Sequence, residues 1–202
     1  RDYYASRGLG DVYKRQPSYM SVTYGAGGST VGYSAALAKK VEDNGMPALA
    51  HLTCVKADEA KLAEVLGQLQ GFGVKNILAL RGDIPADMQG EEIGSFAHAS
   101  ELMRFVKQQG DFCVGGAAYP EGHPESGSLE KDIENTKYKV DAGVDFLVTQ
   151  MFFDNTILYN YMFRLLRAGI NVPVVPDIMP VTNAKQIIRI CQLSGTKLPP
   201  QF

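Results

Sequence analysis

The 202-residue sequence holds only three cysteines, Cys54, Cys113 and Cys191, far apart and without CxxC or Cys/His spacing. That excludes a disulfide framework and a zinc site. Each thiol is expected as a small buried apolar residue. No run of about 18 apolar residues occurs, so a membrane-spanning helix is excluded. No stretch reads as a signal peptide. Net charge is only -2, so no basic field draws the chain to nucleic acid or anionic lipid. No GxGxxG fingerprint follows a strand. The glycine-rich GAGGST at 25–30 lacks that spacing and is not followed by the Gly-Lys-Ser/Thr of a P-loop. With 45% hydrophobic and 21% charged residues, the expectation is a cytoplasmic protein of one domain.

What is present is one pattern, repeated. YMSVTYG (19–25), ALAHLTC (48–54), NILALRGD (76–83), CVGGAAYP (113–120), FLVTQMFF (146–153) and VPVVPDIMP (172–180) are apolar runs of strand length. Each precedes a segment with apolar residues at helical spacing, such as Leu62, Val65, Leu69 and Phe72. Glycines that end helices follow: Gly45, Gly71 or Gly73, Gly110, Gly143, Gly169 and Gly195. The chain therefore reads βα six times, at about 30 residues per unit. Parallel strands joined by such crossovers, apolar on both faces, fit a covered parallel sheet. The fold class expected is α/β, a (β/α)8 TIM-type barrel that is incomplete, with about six of its eight units.

The ends differ from the middle. RDYYASRGLGDVYKRQ (1–16) has no clear periodicity and resembles translated adapter sequence, so it is expected to be non-native. Residues 17–202 are then a partial barrel domain. KLPPQF stops where a further helix and strand would be due. A first and an eighth βα unit are expected to be missing.

Polar residues gather at or just beyond the carboxyl ends of the strands: Thr23, Tyr24, His51, Thr53, Arg81, Asp83, Tyr119, Glu121, His123 and Gln150. Parallel barrels keep their active sites there. Singly, such a threonine is more often a helix cap and such a histidine a satisfied buried one. A cluster on successive strands is harder to attribute to structure alone. In Arg81-Gly82-Asp83, the arginine offers a planar fork of donors for phosphate. The glycine allows close backbone approach, and the aspartate places an acceptor or negative charge beside a reacting group. An Arg–Asp surface pair is the plain alternative. On the helix at 128–142, Leu129, Ile133 and Val140 share one stripe. Asp132, Asn135 and Lys139 share a second beside it.

VTYGAGGS, AHLTC, LALRGD, AAYPEGHPE, KVDAGVDFLVTQMFFD and PDIMPVTNAKQ together resemble the signatures of the methylenetetrahydrofolate reductase family, from about Pro17 onward. The resemblance implies a flavoprotein barrel. It would use FAD to pass a hydride from NADH or NADPH to 5,10-methylenetetrahydrofolate, with ping-pong kinetics. Positions matching the family's FAD ligands are Tyr24, Ala26, His51, Arg81, Gly82, Asp83, Ala97, Tyr119, His123, Asp132, Asn135 and Lys139, and Ser126 belongs with them. Asp83 would act catalytically near the flavin and also meet the folate. Thr23, Gln150 and Gln186 match positions that contact folate or nicotinamide. Arg81, His123 and Lys139 would offset diphosphate charge or donate hydrogen bonds. The intact protein would be a homo-oligomer.

Three departures stand out. The family's general acid, a glutamate in a Phe-Glu-Phe-Phe-Pro-Pro-like motif, does not occur in this sequence. A non-catalytic flavin-binding fragment is therefore the alternative expectation. Tyr138 stands where some members have a basic residue, and Ile190 where some have an aromatic. A different phosphate-binding barrel enzyme of the aldolase sort is a third reading, for which Lys56 is the nearest strand-end lysine.

Overall fold

A computed structural model describes residues 17–23, 31–55, 57–83 and 94–200. Six strands run in the order β1 (Met20–Val22), β2 (Ala48–Thr53), β3 (Asn76–Leu80), β4 (Cys113–Ala118), β5 (Phe146–Thr149) and β6 (Val174–Val175). All five pairings are parallel and join sequential strands. Six helices follow them: α1 (Val31–Asp43), α2 (Glu59–Gly71), α3 (Ala99–Gln109), α4 (Leu129–Asp141), α5 (Asn155–Arg167) and α6 (Ala184–Ser194). Sequential parallel order with one helix per crossover is barrel topology. The sheet is a curled half-barrel, the incomplete (β/α)8 arrangement expected.

Burial alternates along the strands. Ala48, Ala50 and Leu52 of β2, Ile77 and Ala79 of β3, Val114 and Ala118 of β4, and Leu147 of β5 are all buried. They pack with Leu62, Leu66, Leu69, Leu102, Met103, Val106, Tyr161 and Leu165 from the helices. The opposite phase includes His51, Thr53, Leu80, Ala117, Val148 and Gln150, all only half-buried. The expectation of strands covered on both faces is thus corrected: helices seal one face, and the concave face stays partly open. Gly115 and Gly116 make room on both sides of β4. A Cβ at Gly115 would lie 2.5 Å from the Phe146 ring, and one at Gly116 would lie 2.8 Å from Met103 Cε.

Local signals set the element ends. Asp58, Ser128, Asp154 and Asn183 each accept a backbone N–H of the following helix's first turn, as good N-caps do. Gly71 stays in α2, and it is Gly73 that turns the chain, with φ +82°. The run at 172–180 shortens to the two residues of β6, since Pro173, Pro176 and Pro180 have no N–H to give a ladder. Of the cysteines, Cys54 is buried, while Cys113 and Cys191 are only partly so; all three are free. Among the described residues, no helix is long and apolar enough to cross a membrane.

Candidate active site

A cavity of about 600 Å³ opens at the carboxyl ends of β2, β3 and β4 and is flanked by α4. Its wall includes Thr53, Leu80, Arg81, Gly82, Asp83, Ala117, Tyr119, His123, Ser126, Asp132, Asn135 and Lys139. Nine of the thirteen positions expected to hold a cofactor therefore meet around one hollow. Strand phase explains part of this. Thr53, Leu80 and Ala117 occupy the concave phase at the ends of neighbouring strands, and Thr53 lies opposite Leu80 in the β2–β3 register.

Helix α4 supplies the rest, and in an unexpected way. Its most buried side chains are polar, Asp132 at 3% and Thr136 at 1% exposure, while Leu129, Ile133 and Val140 are half-buried. The polar stripe is thus the inner face, not the margin of an apolar one. Thr136 is satisfied by its Oγ1 donating to the Asp132 carbonyl at 2.9 Å. Asp132 Oδ1 accepts from the His123 backbone N–H at 3.3 Å and from Ser126 Oγ at 3.0 Å. Its Oδ2 is buried with no hydrogen-bond partner. Asn135 Nδ2 donates to Ser126 Oγ at 3.3 Å, which ties the loop after β4 to α4.

Lys139 reaches inward. Its Nζ donates to the Ala117 carbonyl at 2.7 Å and sits 5.5 Å from the centre of the Tyr119 ring. Burial pulls its ammonium below the usual lysine range, and the Asp132 charge opposes that pull. His123 packs edge-on against Tyr119, ring centres 4.6 Å apart. Its Nδ1 accepts the Glu125 backbone N–H at 3.1 Å, which assigns the proton to Nε2. Burial lowers its pKa below the ordinary 6.5. His123 is therefore a neutral donor at pH 7. Of its two expected parts, offsetting charge or donating a hydrogen bond, the neutral form serves the second.

Arg81 is already engaged. Its two terminal nitrogens donate to both Glu125 carboxylate oxygens, at 2.6 and 2.8 Å. The guanidinium holds the Glu125 carboxyl below the usual carboxylate range. Gly82 has φ +89°, and a Cβ there would stand 3.1 Å from Thr53 Cβ. Only glycine suits that backbone and that gap. Behind the site, Cys54 Sγ donates to the Arg81 carbonyl at 3.5 Å, and burial pushes its thiol up to about 11. That leaves it unreactive.

Other expected residues lie elsewhere. His51 sits within β2, bonded at 2.7 Å to Ser21 Oγ, and is outside the cavity wall. Ala97 is at the edge: its N–H donates to Glu101 Oε2 at 2.8 Å, next to His98, Ala99 and Ser100, which do line the hollow. Thr23 is exposed after β1, and its carbonyl accepts from Ser34 Oγ at 3.1 Å. Gln150 follows β5, its N–H donating to the Ala118 carbonyl. Gln186 is exposed in the first turn of α6. None of these three is part of the cavity wall. Glu121 faces away, accepting the Lys197 backbone N–H at 3.2 Å. Tyr24, Ala26 and Lys56 lie outside the described residues. Glu125 and His98 line the cavity and were not anticipated; Tyr138 lies at its rim with 54% exposure. Among the described residues no group of His, Cys, Asp or Glu is arranged to hold a metal ion.

Comparison with known proteins agrees with this geometry. A family model described as methylenetetrahydrofolate reductase matches residues 8–202. The 5,10-methylenetetrahydrofolate reductase of Pectobacterium carotovorum subsp. carotovorum is 35% identical over 185 residues, covering 91% of this chain and 61% of the relative. That of Escherichia coli (strain K12) is 36% identical with the same coverage. The chain thus spans about three fifths of the length of these relatives. Among solved structures, a phosphoenolpyruvate phosphomutase from Streptomyces platensis subsp. rosaceus superposes with a TM-score of 0.53 at 11% identity, covering 93% of this chain and 84% of that one. This likeness concerns the fold alone. The chain belongs to the methylenetetrahydrofolate reductase family.

Proposed function

We propose that this chain is the flavin-binding core of an NAD(P)H-dependent methylenetetrahydrofolate reductase. The observation that carries the reading is the convergence of Arg81, Gly82, Asp83, His123, Asp132, Asn135 and Lys139 on one cavity in a member of that family. A volume of about 600 Å³ is in the range of cofactor pockets. The side chains present fit FAD. Asp132 Oδ2 is a buried acceptor without a donor, a cost that a ligand hydroxyl or N–H removes. Arg81 and Lys139 provide positive charge for a diphosphate, and His123 provides a neutral Nε2–H.

When bound, FAD supplies two-electron chemistry, accepting hydride from NADH or NADPH and passing it to the folate. The protein's part is placement and charge. Ser126 and Asn135 hold Asp132 and the loop after β4 in register with α4. Asp83, exposed at the mouth, sets a negative charge beside the reacting groups and favours a cationic form of the folate. The two substrates enter in turn, which gives ping-pong kinetics. The family resemblance assigns Thr23, Gln150 and Gln186 to folate or nicotinamide, and Tyr24, Ala26, His51 and Ala97 to the flavin. The test is to purify the chain, add FAD, remove free flavin and record the 450 nm band. Retained flavin that is bleached by NADH or NADPH supports the reading. A folded chain that retains none overturns it.

A further inference from the structure

The cavity wall carries two full cations, Arg81 and Lys139, against three carboxylates, Asp83, Glu125 and Asp132. With Glu125 in place carboxylates outnumber cations, which opposes a diphosphate until that side chain moves. Arg81 turns one N–H of each terminal nitrogen to Glu125, so its end-on bidentate face, one of the two that match a phosphate, is held by a carboxylate. Lys139 Nζ gives one of its three N–H groups to the Ala117 carbonyl. Of the three carboxylates, Asp132 is fixed by burial. Asp83 is exposed and pairs with neither cation. Glu125 is the one that can leave: its side chain is 60% exposed, against 27% for Arg81. It sits on a three-residue turn of helix, Pro124–Ser126, in the loop after β4. Its backbone N–H is bound separately, to His123 Nδ1. The side chain can therefore swing into water while the loop and the His123 tautomer stay in place.

We propose that Glu125 is a displaceable occupant of the anion subsite at Arg81, and that a ligand phosphate takes over the guanidinium fork as the carboxylate moves out. The inference deepens the flavin reading and rests on it for the identity of the phosphate-bearing ligand. Glu125 then acts as a specificity determinant. It raises the threshold for occupying the site, since a ligand must bring an anion able to replace a bidentate carboxylate. Neutral ring systems leave the pair intact.

The experiment compares the full chain with Glu125→Gln and, as a second variant, Glu125→Ala. Kd is measured for inorganic pyrophosphate, FAD and riboflavin, with circular dichroism to confirm that each variant is folded. A partly exposed ion pair sets the scale of the competition, so pyrophosphate and FAD should bind about two- to fivefold more tightly to both variants. Riboflavin, which has no phosphate, should be unchanged. In an Arg81→Gln background the gain should vanish. Pyrophosphate affinity that is unmeasurable, unchanged or weaker in the Glu125 variants overturns the proposal, as does an equal gain without Arg81. If pyrophosphate tightens but FAD binds no form of the protein, the role of Glu125 stands and the flavin reading fails. If FAD binds all forms alike, the flavin reading stands and the proposal fails.

Discussion

Asp132 Oδ1 takes the backbone N–H of His123 at 3.3 Å, while the other oxygen of the same carboxylate is buried with no partner. One side chain thus anchors the loop after β4 and offers an unmatched acceptor to the hollow. Asp132→Ala should remove both functions. Two donors, His123 N–H and Ser126 Oγ, lose their acceptor, which should cost about 1–3 kcal/mol of stability. FAD affinity should fall about tenfold or more, since a bond to a charged acceptor is lost. Thermal melts and flavin titration read the two effects separately.

Lys139 should show the opposite split. Burial lowers its folded pKa, so the charged form is disfavoured by folding. This penalty is fully present below the folded pKa and disappears as pH rises to the ordinary 10.5. Lys139→Met removes it, and the ligand-free variant should melt no lower than the parent at neutral pH. Flavin affinity should nevertheless drop by about tenfold, because a cation facing the diphosphate is gone. A variant that loses stability and keeps flavin would contradict this placement.

Gly82→Ala tests the close backbone approach. A side chain at φ +89° and 3.1 Å from Thr53 Cβ should cost about 1–3 kcal/mol. The midpoint of thermal unfolding should fall by several degrees, roughly 2–4 °C per kcal/mol for a chain of this size.

Acid should weaken the fold before it reaches the carboxylates. His51 and His123 both have pKa values lowered from 6.5 by burial. The unfolded chain therefore binds more protons between their folded values and 6.5, and stability falls as pH drops through that window. Glu125, lowered from 4.5 by Arg81, adds a loss of the same sign only below 4.5. Melting temperature should decline from pH 7.5 to 5.5, and the decline should be shallower in His51→Gln and His123→Gln. A flat profile in the parent chain would remove the assignment of both half-buried rings as neutral.

Much of this was legible in the sequence, for physical reasons. Apolar runs followed by 3.6-residue periodicity and a closing glycine mark βα units locally, and all six are found. The stripe of Asp132, Asn135 and Lys139 came from helical geometry, although its depth did not. Asp132 and Thr136 are more buried than the apolar residues beside them, which helical spacing alone does not show. Glu125 escaped notice because its partner is 44 residues away. No local pattern announces a bidentate pair closed by tertiary folding. His98 lies at the start of a segment that reads only as a helix, FAHASELMRFVKQQG, and only the fold brings it to the cavity. Apolar content alone extends the strand over 172–180, whereas Pro173 and Pro176 confine its ladder to Val174–Val175.

We propose that these strand-end residues make one flavin site, with Arg81 at its anion end. Titration of the folded chain with FAD, alongside Arg81→Gln, tests it most directly. Saturable binding near one flavin per chain is expected, weakened about tenfold or more in the variant. Native circular dichroism with no flavin uptake, or equal uptake by both proteins, would contradict it.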